Sequence, residues 1–305
     1  MIERSPIFDF ITYAAMILGL FVVVMPFWIT LVAGSQSLTE VSQVPIVLWP
    51  STHLFENLQE AWTRADLGPK MLNSFIVAIG VTTGKITLAA LSAFSIVFFN
   101  YRARMVCFWL IFVTLMLPLE VRIVPTYSIA ANALLPFQFI LDSLGITGLL
   151  RSLGGIQLSL EWNLLNSYPG LILPLVATAT GTFLYRQFFM TIPDELVEAS
   201  KMDGAGPMRF FFDVLLPLSR TNMLALATIL FVSSWNQYLW PLLITTDRAN
   251  FGTVVMQLKS LIPDQNGLPD WNVTMAGALI IMLPPLLVVA LMQRWFVRGL
   301  ITKDK

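Results

Sequence analysis

Residues 191–217 read Thr-Ile-Pro-Asp-Glu-Leu-Val-Glu-Ala-Ser-Lys-Met-Asp-Gly-Ala-Gly-Pro-Met-Arg-Phe-Phe-Phe-Asp-Val-Leu-Leu-Pro. Pro193 suits a first helical turn. Asp194 and Glu195 place negative charge where it complements a helix N-terminus. Asp203-Gly204 then ends the helix, glycine supplying the left-handed conformation. Phe210–Val214 makes a second short apolar element, and Pro217 opens the next apolar run. On either side lie continuous apolar stretches, Tyr168–Phe189 and Pro217–Thr245. A short helix, a glycine turn and a second apolar segment between two such stretches form a compact knob, able to dock into a groove on a partner.

Working outward, the rest of the chain has the same alternation. A helical membrane span needs about 20 mostly apolar residues. Six stretches qualify: 11–33, 72–99, 105–125, 168–189, 217–245 and 275–296. The expected class is all-α, a polytopic membrane protein with six transmembrane helices in a single membrane domain, 1–305. Strands of an outer-membrane barrel would alternate over about 10 residues, and these runs do not alternate. Composition agrees. Of 305 residues, 56% are hydrophobic and 12% charged, against about 25% charged in a soluble domain. That excludes disorder, which needs the opposite balance. One cysteine, Cys107, excludes a disulfide scaffold, and with one histidine, His53, it argues against a structural zinc site. Lys+Arg and Asp+Glu are 18 each, so no basic excess points to nucleic acid.

Positive charge sets the orientation. With the N-terminus inside, the short inner segments carry Arg4, Arg102, Arg104, Arg186, Lys201, Arg209, Arg220, Arg294, Arg298, Lys303 and Lys305. The much longer outer loops, roughly 34–71, 126–167 and 246–274, hold fewer: Arg64, Lys70, Arg151, Arg248 and Lys259, with Arg122 nearby. Both termini are therefore expected in the cytoplasm, and the 191–217 loop with them. The outer loops also hold Trp49, Trp62, Trp162 and Trp271, a residue type enriched at membrane interfaces. They read as ordered surface rather than linkers.

Gly80-Val-Thr-Thr-Gly-Lys-Ile-Thr87 mimics a phosphate-binding loop. A true one has four residues between its glycines and Ser or Thr directly after Lys. Here Gly80 and Gly84 flank three, and Ile86 follows Lys85. The glycines read better as a small-residue face for helix packing. The chain thus shows no ATP site of its own. Lys85, inside a span, costs about 2.5–3.5 kcal/mol on insertion scales. It either packs against a polar neighbour or lines a solute path. Arg122 either anchors an interface or subunit contact, or attracts an anion, since guanidinium binds phosphate bidentately. Residues two apart do not face each other on a helix, so Glu120 is not its easy partner. Trp235-Asn236-Gln237-Tyr238, with Trp240-Pro241, interrupts the fifth span. Its amides and aromatic faces suit a solute path and interhelical packing equally. Pro284-Pro285 is expected to kink the sixth span.

The 191–217 loop carries a family resemblance. Glu198-Ala199-Ser200, three residues, Gly204, nine residues, Val214-Leu-Leu-Pro217 resembles the Glu-Ala-Ala loop of ABC-importer permeases. Ser200 replaces Ala and Val214 replaces Ile; every spacing matches. The resemblance extends through Leu72-Asn-Ser-Phe75, Leu91-Ser-Ala-Phe94, Phe112–Ile123, Phe188–Ala199, Trp235–Leu242 and Met292–Leu300. It is similar to second permease subunits of the maltose-permease-like carbohydrate-uptake branch, and within it to those of glycerol-3-phosphate importers. The stretch from Ala133 to about Leu165 looks longer than in the glycerol-phosphate members, as it is in maltose-like ones.

The resemblance implies a bacterial inner-membrane permease forming half of a translocation path. Its coupling helix would dock an ATPase subunit through Glu198, Ala199, Ser200, Asp203 and Gly204. The partners implied are a second, non-identical permease, two ATPase subunits and a periplasmic solute-binding protein. No cofactor is expected in this chain; ATP and Mg would sit on the ATPases. The implied solute is sn-glycerol-3-phosphate or a related glycerophosphodiester, with a neutral oligosaccharide such as maltose as the alternative. A candidate substrate path takes in Lys85, Arg122, Trp235, Asn236, Gln237 and Tyr238. A stand-alone secondary transporter is the different-class alternative, but it would want carboxylates at mid-span, and no Asp or Glu lies deep in these runs. A membrane enzyme lacks a plausible catalytic set.

Overall fold

The structure, a computed structural model, describes residues 6–45, 47–154, 159–262 and 270–301. Parts of the loops expected outside (46, 155–158 and 263–269) and the terminal Arg4, Lys303 and Lys305 are not among these residues. Among the described residues the chain is all-helical, with no strand. Three helices are long and apolar enough to cross a membrane unbroken: Pro6–Ser35, Leu67–Phe98 and Trp271–Trp295. Three further helix pairs qualify if each bent pair is one span, giving up to six.

The bends have local causes. The expected third span is two helices, Arg104–Met116 and Leu119–Ala131. Leu117 between them is extended (φ −64°, ψ 128°), because the residue before a proline is pushed out of the helical region. Leu119–Ala131 instead continues through a 78° bend into Leu135–Ser143. The fourth span bends by 50° between Tyr168–Leu175 and Ala179–Phe189. Thr178 caps the second piece, accepting the Gly181 N–H at 3.4 Å. The fifth breaks at Asn236, where Arg220–Trp235 ends and Leu239–Ile244 begins. In the sixth, Trp271–Ile301 runs as one helix through Pro284 and Pro285.

The described chain divides into two compact units. The first joins residues 1–71 to 254–284. Most of Pro6–Ser35 is exposed; only its last turn is buried, at Val32, Gly34 and Ser35. Apolar on every face, it is built for a non-aqueous surrounding. The unit is held by a buried amide chain. Asn57 donates to the carbonyl oxygens of Gly34 (2.9 Å) and Gln36 (2.8 Å), and Asn272 donates to Asn57 Oδ1 at 2.9 Å. The first two satisfy carbonyl groups at and just past the end of Pro6–Ser35, which the helix itself leaves open, and the third holds the Asn57 amide in place. At the surface, Arg64 bridges Glu60 and Asp270, both at 2.6 Å. Ser37 and Glu40 close a capping box over the short Leu38–Val41 helix.

The second unit joins residues 72–253 to 285–305. One of its cores is lined by Ala89, Ala93, Phe94, Tyr185, Phe189, Phe210, Phe211 and Leu215. Another gathers Val77, Val81, Ala130, Leu171, Leu175, Trp240 and Ile244. Gly80 and Gly84 are the small-residue face expected from the sequence. A Cβ on Gly80 would meet Ile172 Cδ1 at 2.7 Å, and one on Gly84 would meet Val176 Cγ1 at 2.5 Å. Trp240 donates its indole N–H to the Gly170 carbonyl at 3.1 Å. Asn73 donates to the carbonyls of Asn250 and Gly252 and accepts the Tyr168 hydroxyl at 2.7 Å.

Candidate functional site

The loop between the fourth and fifth spans contains the expected helix, Asp194–Met202, with Pro193 as its N-cap rather than its first residue. Gly204 has φ 71°. Ala205 donates to the Ser200 carbonyl at 2.9 Å, and Gly204 to that of Lys201 at 3.0 Å. This is the two-bond C-terminal closure that a left-handed residue permits. Ile192 and Val197 pack against the core of Phe189, Phe210 and Phe211. Ser200 turns inward and bonds the Val197 carbonyl at 2.9 Å. Glu198, Ala199, Lys201, Asp203 and Gly204 stay exposed, and Met202 is 83% exposed. The helix is thus fastened on one face and leaves its other face, both charged and apolar, uncovered. After Pro207–Phe210 the chain makes a π-helical turn, Phe211–Leu215, then bends by 75° into Arg220–Trp235.

The polar positions of the spans separate into two groups. Lys85 and Arg122 are both partly buried. They come from different helices, Leu67–Phe98 and Leu119–Ala131. Neither has a carboxylate within ion-pair distance among the described residues. Arg122 Nε is buried without a hydrogen-bond partner, as is Thr82 Oγ1. Glu120 is exposed. The second group lies at the fifth-span break. Trp235 is a core residue, 1% exposed, stacked on Phe231 and edge-on to Phe75 at 4.9 Å. Asn236 is exposed, and Gln237 and Tyr238 are half-buried.

Several structural residues escaped the sequence reading. Asn166, at φ 51°, accepts the backbone N–H groups of Thr246 and Asp247, both at 2.8 Å. Its signal was an asparagine directly before the Ser-Tyr-Pro that starts a helix, a residue type that tolerates the left-handed region. Arg186 lies over the Phe108 ring at 4.7 Å, where charge counting had given it only an orienting role. Trp49, Trp62, Trp162 and Trp271, in the loops expected outside, are all exposed.

Broken apolar helices that carry two partly buried cations, with a loop helix exposed between two of them, fit a transport permease. The chain belongs to the family of binding-protein-dependent transport system inner membrane components, whose model matches residues 85–302. It is similar over the full length of both chains to proteins named sn-glycerol-3-phosphate transport system permease protein UgpE. Identity over 311 residues is 46% with that of Pectobacterium atrosepticum, 45% with that of Yersinia enterocolitica and 44% with that of Escherichia coli O1:K1. A crystallised bacterial ABC transporter involved in import of the acidic polysaccharide alginate superposes with a TM-score of 0.70, covering 97% of this chain and 99% of that one. At 18% identity this likeness speaks for the fold alone. The chain is therefore a multi-pass membrane protein and a permease of a binding-protein-dependent ABC importer.

Proposed function

We propose that this chain is one of two non-identical permease subunits of a bacterial inner-membrane importer for sn-glycerol-3-phosphate or a related glycerophosphodiester. Its end-to-end identity of 44–46% to permeases of that name carries the reading. Both termini and the Asp194–Met202 helix face the cytoplasm, in keeping with the distribution of Lys and Arg. The chain is not itself an enzyme. ATP and Mg bind two separate ATPase subunits, and a periplasmic binding protein delivers the solute to the outer loops.

In this reading the exposed face of Asp194–Met202, with Glu198, Ala199, Asp203 and Gly204, seats in an ATPase subunit, and Ser200 holds that face in shape from behind. Closure of the ATPase pair moves the loop helix. Val197, packed on the phenylalanine core, passes the motion to the spans. Alternating access then follows from partners that bind the two states differently. The broken fourth and fifth spans supply the non-helical backbone that a membrane tolerates only where it is buried in protein or lines a path. Lys85, Arg122, Asn236, Gln237 and Tyr238 line that path, and Trp235 braces it.

The test is solute-stimulated ATPase activity of the reconstituted importer, comprising this chain, its partner permease, the ATPase and the binding protein. Glycerol-3-phosphate is expected to stimulate and maltose is not. Stimulation by maltose alone would keep the importer and replace the solute with a neutral oligosaccharide.

A further inference from the structure

We propose that the helix pair Leu135–Ser143 and Ile146–Gly154 is an interfacial membrane anchor, lying along the lipid headgroup–acyl boundary at the end of the third span. The first of the two, 9 residues long, leaves Leu119–Ala131 through a 78° bend. It measures about 13.5 Å, and at that angle it advances only about 3 Å along the axis it leaves. The hydrocarbon core is about 30 Å thick. The helix therefore adds almost nothing to the crossing, and with span tilts of about 20° it stays close to the membrane plane. Gly145, at φ 72°, turns the chain into Ile146–Gly154. Asp142 Oδ1 accepts the Gln138 side-chain amide at 3.1 Å and the Thr147 hydroxyl at 2.6 Å, and Gln138 Oε1 accepts the Leu160 N–H at 3.0 Å. These bonds fix the two helices to each other and to the returning chain. At the root of the pair Asn132 Oδ1 accepts the Trp162 N–H at 3.2 Å, and Ala133 donates to the Trp162 carbonyl at 2.8 Å.

What these bonds leave uncovered is apolar. Phe137, Phe139 and Ile140 of the first helix are each more than half exposed, as is Leu144 in the turn. In the second, Ile146, Leu149 and Leu153 recur at the spacing of one helical face, and Leu153 is 79% exposed. Arg151 and Ser152 occupy the other side. An apolar stripe backed by polar residues is the pattern of a helix that lies in the membrane interface, and so many large apolar side chains are not left in water. The span that carries the pair is uncovered in the same way, at Val121 and Val124, so the pair continues the apolar surface of a membrane-crossing segment. Trp162, exposed beside the root, is of a type enriched at the interface. A binding protein that departs after each delivery would return these side chains to water in every cycle; lipid covers them permanently. Asp142 and Arg151, both exposed, hold the pair at the boundary and out of the hydrocarbon, where a charge is costly. They also cancel, so apolar burial rather than attraction to anionic lipid supplies the anchoring.

The experiment uses the complete importer, with cysteine-free partner subunits, in nanodiscs of neutral phosphatidylcholine. In a Cys107→Ala chain a nitroxide is attached at Ile140→Cys, Leu149→Cys, Leu153→Cys or Ser152→Cys, and its collisions with dissolved oxygen, which concentrates in lipid, are compared with those of a water-soluble nickel chelate. Labels at 140, 149 and 153 are expected to meet oxygen several-fold more readily than nickel, and the label at 152 the reverse, with and without the binding protein. The three apolar positions are read independently, and subunit co-purification reports assembly in each. Apolar-side labels as open to nickel as the one at 152 would place the pair in water and overturn the anchor. Labels closed to both reagents would mean that a permanent protein partner covers the pair, and labels that close only when the binding protein is added would make it a docking surface for that protein; either result overturns the lipid contact.

Discussion

Ala205 donates its backbone N–H to the carbonyl oxygen of Ser200 across five residues, at 2.9 Å. That bond forms only because Gly204 between them is left-handed, at φ 71°. Nothing lies within 4 Å of where a Gly204 Cβ would be. The position is thus selected for backbone conformation and not for room.

Gly204→Val should cost about 1–2 kcal/mol of local stability and misplace the exposed face of the Asp194–Met202 helix. Gly204→Asn, which tolerates the left-handed region, should behave nearly as the native chain. The expected readout is loss of the ATPase subunit from a pull-down for the valine variant, with normal membrane insertion. Glu198→Lys, which inverts an exposed charge on the same face, should do likewise. Undiminished ATPase retention in both would remove the docking role from this helix.

Gly84→Leu should destabilise the second unit by about 1–3 kcal/mol through overpacking, because its first side-chain atom would meet Val176 Cγ1 at 2.5 Å. Val176→Ala in the same chain should recover a large part of the loss. Thermal unfolding in detergent reads both. A double variant no more stable than Gly84→Leu alone would mean that the contact is not what limits the glycine.

The Glu40 carboxyl is held below its ordinary pKa, first by the Ser37 backbone N–H and then by the Ser37 hydroxyl, with smaller help from Ser51 and His53 and against the effect of burial. The folded carboxyl binds protons less readily than the unfolded one. Its contribution to the Ser37–Ser42 turn is therefore complete above the ordinary carboxylate range and lost as pH falls through the lowered folded value. Amide protection in this turn, measured relative to the intrinsic exchange rate at each pH, should fall below about pH 4.5. Glu40→Gln should flatten that pH dependence; an equally steep profile in the variant would assign it to another group.

Much of this was legible in the sequence. The six apolar runs were found by length and hydropathy, because a membrane selects for composition along a whole segment. The loop helix and its end were found because Pro193, Asp194 and Gly204 act through their own backbones, without distant partners. The interruption at Asn236 was visible in its amides and in Pro241. The break at Leu117 was not, since hydropathy adds the same apolar residues whether or not the chain changes direction between them. Nor was the burial of Arg122 Nε without a hydrogen-bond partner. It depends on what other helices bring to that position and on nothing local to the residue. Asn57 and Asn166 were missed for the same reason: each looks like an ordinary polar loop residue until its carbonyl or N–H partner is brought alongside.

The long exposed helix at the start of the chain has a consequence for how its sequence can drift. From Ile7 to Val24 the large side chains are mostly more than half exposed, so shape is hardly constrained there and only affinity for the surrounding medium is. Leu for Phe or Ile for Met should pass unnoticed over generations, whereas a single Asp near the centre would cost about 2.5–3.5 kcal/mol. Ten residues on, the rule inverts. At Gly34, where a Cβ would meet the Ala276 backbone nitrogen at 3.1 Å, polarity matters little and one methyl group is the unit of selection. A single helix is thus read by two different filters, one for solubility and one for fit.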